Sequence, residues 1–209
     1  MATTHMLAGM SLAIPLFIVA PEVAAIALVA GLIGGLFPDL DLYLHHRRTL
    51  HYPVMYPVGT LLALPFALLH PSAWTVAISV GLAAAALHTT MDLFGGGLEL
   101  RPWEGTSNHG VYSHVHGRWL RPRRWVTYDG SPRDLVLATG MGLPLIAVVD
   151  GPIQVLVAGL LIVSATYVLL RKQLADLAVD IAHLLPTTLH RYVPDRYFGA
   201  DQPSPSPAD

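Results

Sequence analysis

The 209-residue sequence predicts an all-α, polytopic membrane protein of about six helices, and three observations carry that expectation. Hydrophobic residues make up 53% of the chain and charged residues only 12%, about half the charged share of an average soluble domain. The apolar residues gather into six long runs. Every Lys and Arg falls in segments that lie on one side of a bilayer if those runs cross it in turn.

The first run, Met6 to Ala20, stops at Pro21. It lacks a basic leader and a small-residue cleavage site, so it reads as a retained helix. The second, Val23 to Phe37, closes at Pro38, where proline favours a helix end and extended chain. The third, Val54 to Leu69, contains Pro57 and Pro65; the fourth runs from Trp74 to about Phe94. The fifth and sixth are Leu135 to Val149 and Ile153 to Leu170. A span needs about 20 apolar residues, so the shorter runs must recruit flanking residues or thin the bilayer. After Leu170, apolar residues at 174, 177, 178, 181, 184 and 185 recur at helical spacing, which predicts a C-terminal amphipathic helix. Residues 1–200 then form one helical membrane domain, with 95–134 as a cytoplasmic insert and 201–209, rich in Pro and Ser, as a disordered tail. Within the insert, the alternating stretch 111–116 and the strand formers of 124–128 suggest a small hairpin.

The short turns Pro21-Glu22, His70-Pro71-Ser72 and Asp150-Gly151-Pro152 hold no basic residue; all 12 Lys and Arg lie in the other connections and the tail. The positive-inside rule then places both termini in the cytoplasm of a multi-pass inner-membrane protein. The net charge of −2 gives no support to nucleic-acid binding. With no cysteine, disulfides and thiolate metal sites are excluded.

The ionisable residues fall at the same cytoplasmic face. His88 and Asp92, at i and i+4 on the fourth run, share one helix face, and such groups inside an apolar helix are functional candidates by default. Asp39 and Asp41 close the second run; in extended chain, residues at i and i+2 point the same way, which suits a shared cation. His51 opens the return into the third run, and His5 precedes the first. His45 and His46 read as solvated loop residues, and His70 falls on the far side. His109, His114 and His116 remain open as ligands or loop residues. The set His5, Asp39, Asp41, His51, His88 and Asp92 suits one or two divalent ions. Zinc is foremost, with manganese, iron and magnesium open.

Four motifs carry a resemblance. Thr4-His5-x-x-x-Gly9, Gly34-Gly35-Leu36-Phe37-Pro38-Asp39-Leu40-Asp41, His46-Arg47-x-x-x-His51 and His88-x-x-x-Asp92-x-x-Gly95 together resemble the YdjM-like family. The likeness covers about residues 4–105. These inner-membrane proteins are described as metal-dependent hydrolases, so the resemblance implies an all-helical fold and a His/Asp metal site at these six positions. One departure is Leu50-His51-Tyr52, where the family has Thr-His-Ser. The His/Asp order is also distantly similar to zinc-dependent phospholipases, which favours phosphoester substrates.

The functional expectation is metal-dependent hydrolysis of a phosphoester, or another ester, of an amphiphilic substrate reached from the bilayer. Asp39, Asp41, His88 and Asp92 are the candidate catalytic residues, with Asp41 or Asp39 as the general base. Arg47 is the candidate for an anionic head group. The rival expectation is non-catalytic: a structural or sensing metal site, or a transporter.

Overall fold

Each of the six apolar runs forms helix in the computed structural model, which describes residues 1–193 and 195–198. Helix α1 spans Ala2–Ser11 and α2 Leu16–Val19, separated by tight i to i+3 turns ahead of Pro15. Helix α3 (Pro21–Leu36) takes proline in its first turn. Beyond Pro38 the chain does not extend but tightens into a 3-10 turn over Phe37–Tyr43. Helix α4 covers Met55–Leu69, and α5 covers Ala73–Phe94 behind a Ser72/Thr75 capping box. Helix α6 is Pro132–Val148, capped by the Ser131 hydroxyl on the Asp134 amide. The expected sixth span and the expected separate amphipathic helix are one continuous α7, Gly151–Leu184. At about 1.5 Å per residue its 34 residues reach about 51 Å, far beyond a hydrocarbon core of about 30 Å. The last described elements are α8 (Thr187–His190) and a 3-10 turn over Asp195–Phe198. The tail expected at 201–209 lies outside the described residues.

Among the described residues, four segments are long and apolar enough to cross a membrane: Ala2–Val19, Pro21–Leu42, Ala73–Phe94 and Gly151–Leu184. Helices α4 and α6, at 15 and 17 residues, fall below that length.

Helix α1 lies at the centre, packed on α3, α5, α6 and α7. Glycine makes this possible. A Cβ on Gly9 or Gly31 would collide with the other's carbonyl oxygen, and one on Gly35 would strike the carbonyl of His5. Gly31 and Gly35, one turn apart on α3, therefore let α1 approach backbone to backbone, while Gly34 does the same for Gly81 of α5. Lipid tails give apolar helices little reason to associate, so small residues that permit close packing decide which helices meet.

The 95–131 segment folds back over this end of the bundle. Its hairpin pairs β1 (Val111–Ser113) with β2 (Arg118–Leu120), Tyr112 opposite Trp119, and Gly117 turns the chain with φ +62°. The expected partner, 124–128, has a different task. The amides of Arg123, Val126 and Arg124 donate to the carbonyls of Leu93, Phe94 and Gly95 at 2.8, 3.1 and 3.0 Å. Those carbonyls belong to the end of α5 and the residue beyond it, which have no partner within the helix.

Candidate metal centre

The site sits where α1, α3 and α5 converge under the insert. Thr4 fixes the first turn of α1: its hydroxyl donates to Asp134 Oδ1 at 2.6 Å, tying α1 to the start of α6. That leaves the next residue, His5, fully enclosed beside α3 and α5. The 3-10 turn carries Asp39, α5 carries His88 and Asp92, and the 44–54 loop delivers His51.

Asp39, His51, His88 and Asp92 each offer a ligand atom, and these atoms all lie within 4.8 Å of one another. His51 Nε2 is 3.0 Å from Asp92 Oδ2 and 3.2 Å from His88 Nε2. His88 Nε2 lies 3.4 Å from Asp92 Oδ2 and 3.5 Å from Asp39 Oδ1. A tetrahedral shell with ligands at about 2.0–2.1 Å places neighbouring donors about 3.3–3.4 Å apart, so these separations suit a common small cation.

The outer atoms of the two histidines are already committed. His88 Nδ1 donates to the Gly35 carbonyl at 2.7 Å, and a carbonyl only accepts, so the proton belongs on Nδ1 and Nε2 turns inward. His51 Nδ1 pairs with Asp41 Oδ2 at 3.0 Å. A carboxylate behind an imidazole is the usual orienting arrangement at metal sites.

Asp41 is therefore not gathered with the other four. In a 3-10 turn of three residues per revolution, side chains at i and i+2 diverge. Asp39 points to His5 and His88, whereas Asp41 points to His46 and His51. Asp41 also accepts the amides of Arg47 and Leu50 at 3.4 and 3.1 Å, and it is fully buried. The extended-chain expectation for this pair is thus corrected. His46, expected to be solvated, is half-buried against Asp41.

Burial works against a charge on His51, but the Asp41 and Asp92 carboxylates at its two nitrogens outweigh it and raise its pKa. Arg47 completes the cluster. It sits buried in the left-handed region with φ 59°, its Nη1 on the Gly96 carbonyl at 2.6 Å and its Nη2 3.1 Å from Asp92 Oδ1.

His5 is the decisive member. Both ring nitrogens are buried and without a hydrogen-bond partner. Nδ1 stands 3.8 Å from Asp39 Oδ2 and Nε2 3.6 Å from Asp92 Oδ1, and the ring centroid lies 3.8 Å from that of His88, tilted by 49°. Buried polar atoms are almost always satisfied, and these gaps are too long for hydrogen bonds. The orphaned imidazole, and a donor set of hard oxygens and imidazoles, fit a divalent cation.

A cavity of about 430 Å³ opens against the cluster, and its wall includes His5, Asp39, Arg47 and Asp92 together with Glu99, Asp129 and Tyr167. Burial opposes ionisation of Asp129, yet the Met1 amino group, the Arg171 guanidinium and the Tyr167 hydroxyl hold its pKa below the usual carboxylate range. Sequence reasoning passed over Glu99, Asp129 and Asp134, and gave Thr4 a place in a motif without a task. An acid within a glycine-rich stretch, at Glu99, was the available signal. Of the open histidines, His114 stacks on Tyr52 and donates to the Arg48 carbonyl at 2.7 Å, and His116 pairs with Ser113 at 2.8 Å. His109 stacks on Trp119.

Comparisons with family models, curated proteins and solved structures found no match for this chain.

Proposed function

We propose that the protein is a membrane-bound, metal-dependent hydrolase of an amphiphilic phosphoester or related ester, working at the cytoplasmic face. The observation that carries this reading is His5, a buried imidazole with two unused nitrogens beside two carboxylates, in the wall of a ligand-sized cavity.

His5, Asp39, His51, His88 and Asp92 would hold the ion, with zinc our first choice. Bound there, a divalent ion supplies Lewis acidity toward water and a phosphoryl oxygen. The charges favour one ion. Asp39, Asp41 and Asp92 bring three negative charges and Arg47 one positive, so a single divalent cation leaves the cluster neutral. Arg47 also occupies the Asp92 oxygen that a second ion would need.

Asp39 is the carboxylate placed to take a proton from water, because its side chain is 21% exposed while Asp41 is enclosed. Asp41 orients His51. Two of the donors of Arg47 are committed to Gly96 and Asp92, so it acts on a phosphoester through its positive field rather than a bidentate grip. The YdjM-like motifs imply a set that contains the five proposed ligands and adds Asp41. The one-sided distribution of Lys and Arg supports cytoplasmic termini.

The test is to purify the chain in mild detergent, measure bound metal, and assay phosphoester and carboxylester hydrolysis. Wild type should hold about one ion and cleave a phosphoester; His88→Ala and Asp92→Ala should lose both. Absence of metal would sink the reading, and metal without hydrolysis would make the site structural. Since the chain has no cysteine, one introduced at Gly151 reports the side directly: it should react with impermeant reagents only from outside the cell.

A further inference from the structure

We propose that Glu99 is a recognition residue for an ammonium group, so that the cavity takes an aminoalkyl phosphoester with its phosphate toward the cluster and its amine toward Glu99. The phosphate end rests on the hydrolase reading; the amine end rests on Glu99 itself.

The Glu99 side chain is 9% exposed and lines the same cavity as His5, Asp39 and Asp92. Neither carboxylate oxygen has a hydrogen-bond partner. Arg124 comes nearest, with Nη2 3.8 Å from Oε1, but that nitrogen already donates to the carbonyls of Gly105 and Ser107 at 3.0 and 2.5 Å. The other acids of the cavity are satisfied differently. Asp129 accepts from Tyr167 at 2.7 Å and Arg171 at 3.1 Å, and Asp39 and Asp92 belong to the cluster.

A buried carboxylate without donors is costly, and the backbone has made room for this one. A Cβ on Gly97 would meet Glu99 Oε2 and the Ser107 carbonyl oxygen, so glycine at 97 leaves the space in which the carboxylate lies. Leu36 and Leu42 share the cavity wall with the polar groups. Arg47, beside the residues proposed to hold the ion, attracts an anion, and Glu99 brings to the same cavity wall a carboxylate whose oxygens accept no hydrogen bond. A primary ammonium, with three donors and a positive charge, complements those oxygens. The volume of about 430 Å³ lies in the small-ligand range. The same aminoalkyl phosphate chemistry is found in free phosphoethanolamine and in a lipid head group.

The test uses the full chain in detergent, loaded with zinc, its zinc content measured separately. Equilibrium binding of O-phosphoethanolamine is compared with that of ethyl phosphate and of the N-acetylated ester, which lacks the charge. In a second arm, phosphatidylethanolamine is compared with phosphatidylglycerol in mixed micelles. Wild type should prefer the charged amine by about tenfold or more, the scale of a charge-assisted hydrogen bond. In Glu99→Gln that ratio should fall to about one. A preference in the first arm alone assigns a soluble ester, and one in the second alone a lipid. Equal binding of all probes by wild type, no binding of any, or a ratio that survives Glu99→Gln would overturn the proposal. The acetylated probe keeps it refutable if the variant does not fold. Loss of zinc would count against the hydrolase reading alone, since the amine preference is read as a ratio.

Discussion

Helices α1 and α4 are both short and apolar, yet they hold opposite places. In α1, six of ten residues are buried, whereas α4 buries none of its 15 and turns Leu61, Leu62, Phe66, Leu68 and Leu69 outward. Helix α1 offers Gly9 for close approach and Thr3, Thr4 and His5 as polar groups needing partners. Helix α4 offers large aliphatic side chains and packs on α5. Among lipid tails, hydrophobicity makes a helix but does not call it inward; backbone contact and polar satisfaction do.

The strongest way to break that comparison is to add the same side chain at both kinds of place. Gly31→Leu should cost at least about 3 kcal/mol, read as loss of monodisperse protein and a collapsed Tm, because the Gly9 backbone cannot yield. Gly159→Leu on α7 meets no atom within 4 Å and should leave both readouts near wild type. Equal damage would refute the distinction between centre and rim.

A finer contrast separates the residues proposed to hold the ion from those that steer them. His88→Ala should abolish stoichiometric metal binding. Asp41→Asn should weaken affinity by about 10–100-fold without abolishing it, as followed by competition with a chelator. If Asp41→Asn matched His88→Ala, Asp41 would have to be counted as a ligand.

Beyond the cluster, Asp129 carries a pH dependence of known sign. Its pKa is lowered in the folded protein, so the stability it lends is present above the ordinary value of about 3.9 and is lost as pH falls through the lowered value. Asp129→Asn should therefore have a lower Tm than wild type at pH 7, and the gap should close on acidification. A gap that widened in acid would contradict the assignment. The smallest effect belongs to Arg101 and Asp176, paired at 2.8 Å but 46% and 60% exposed. Arg101→Ala should cost less than about 1 kcal/mol.

Much of the architecture was legible because hydrophobic runs and proline breaks are local signals. The second to fifth runs became helices within a few residues of the expected bounds, whereas the first divided into α1 and α2 and the sixth continued to Leu184. The hairpin existed, but its second strand was Arg118–Leu120, because the segment rich in strand formers was needed to satisfy the end of α5. The amphipathic helix merged with α7 because nothing between Leu170 and Arg171 interrupts the helical backbone.

The site divides the same way. Its residue types and their arrival at one end of the bundle follow from the sequence, since His88 and Asp92 share a helix face and the runs alternate direction. What each one faces was decided by tertiary structure. A 3-10 turn after Pro38 sent Asp39 and Asp41 to different partners, glycine contacts pressed His5 against α3, and the returning insert enclosed Arg47 and Glu99. Periodicity fixes direction along one helix; only packing sets which atoms of separate elements come within a bond length of a common point.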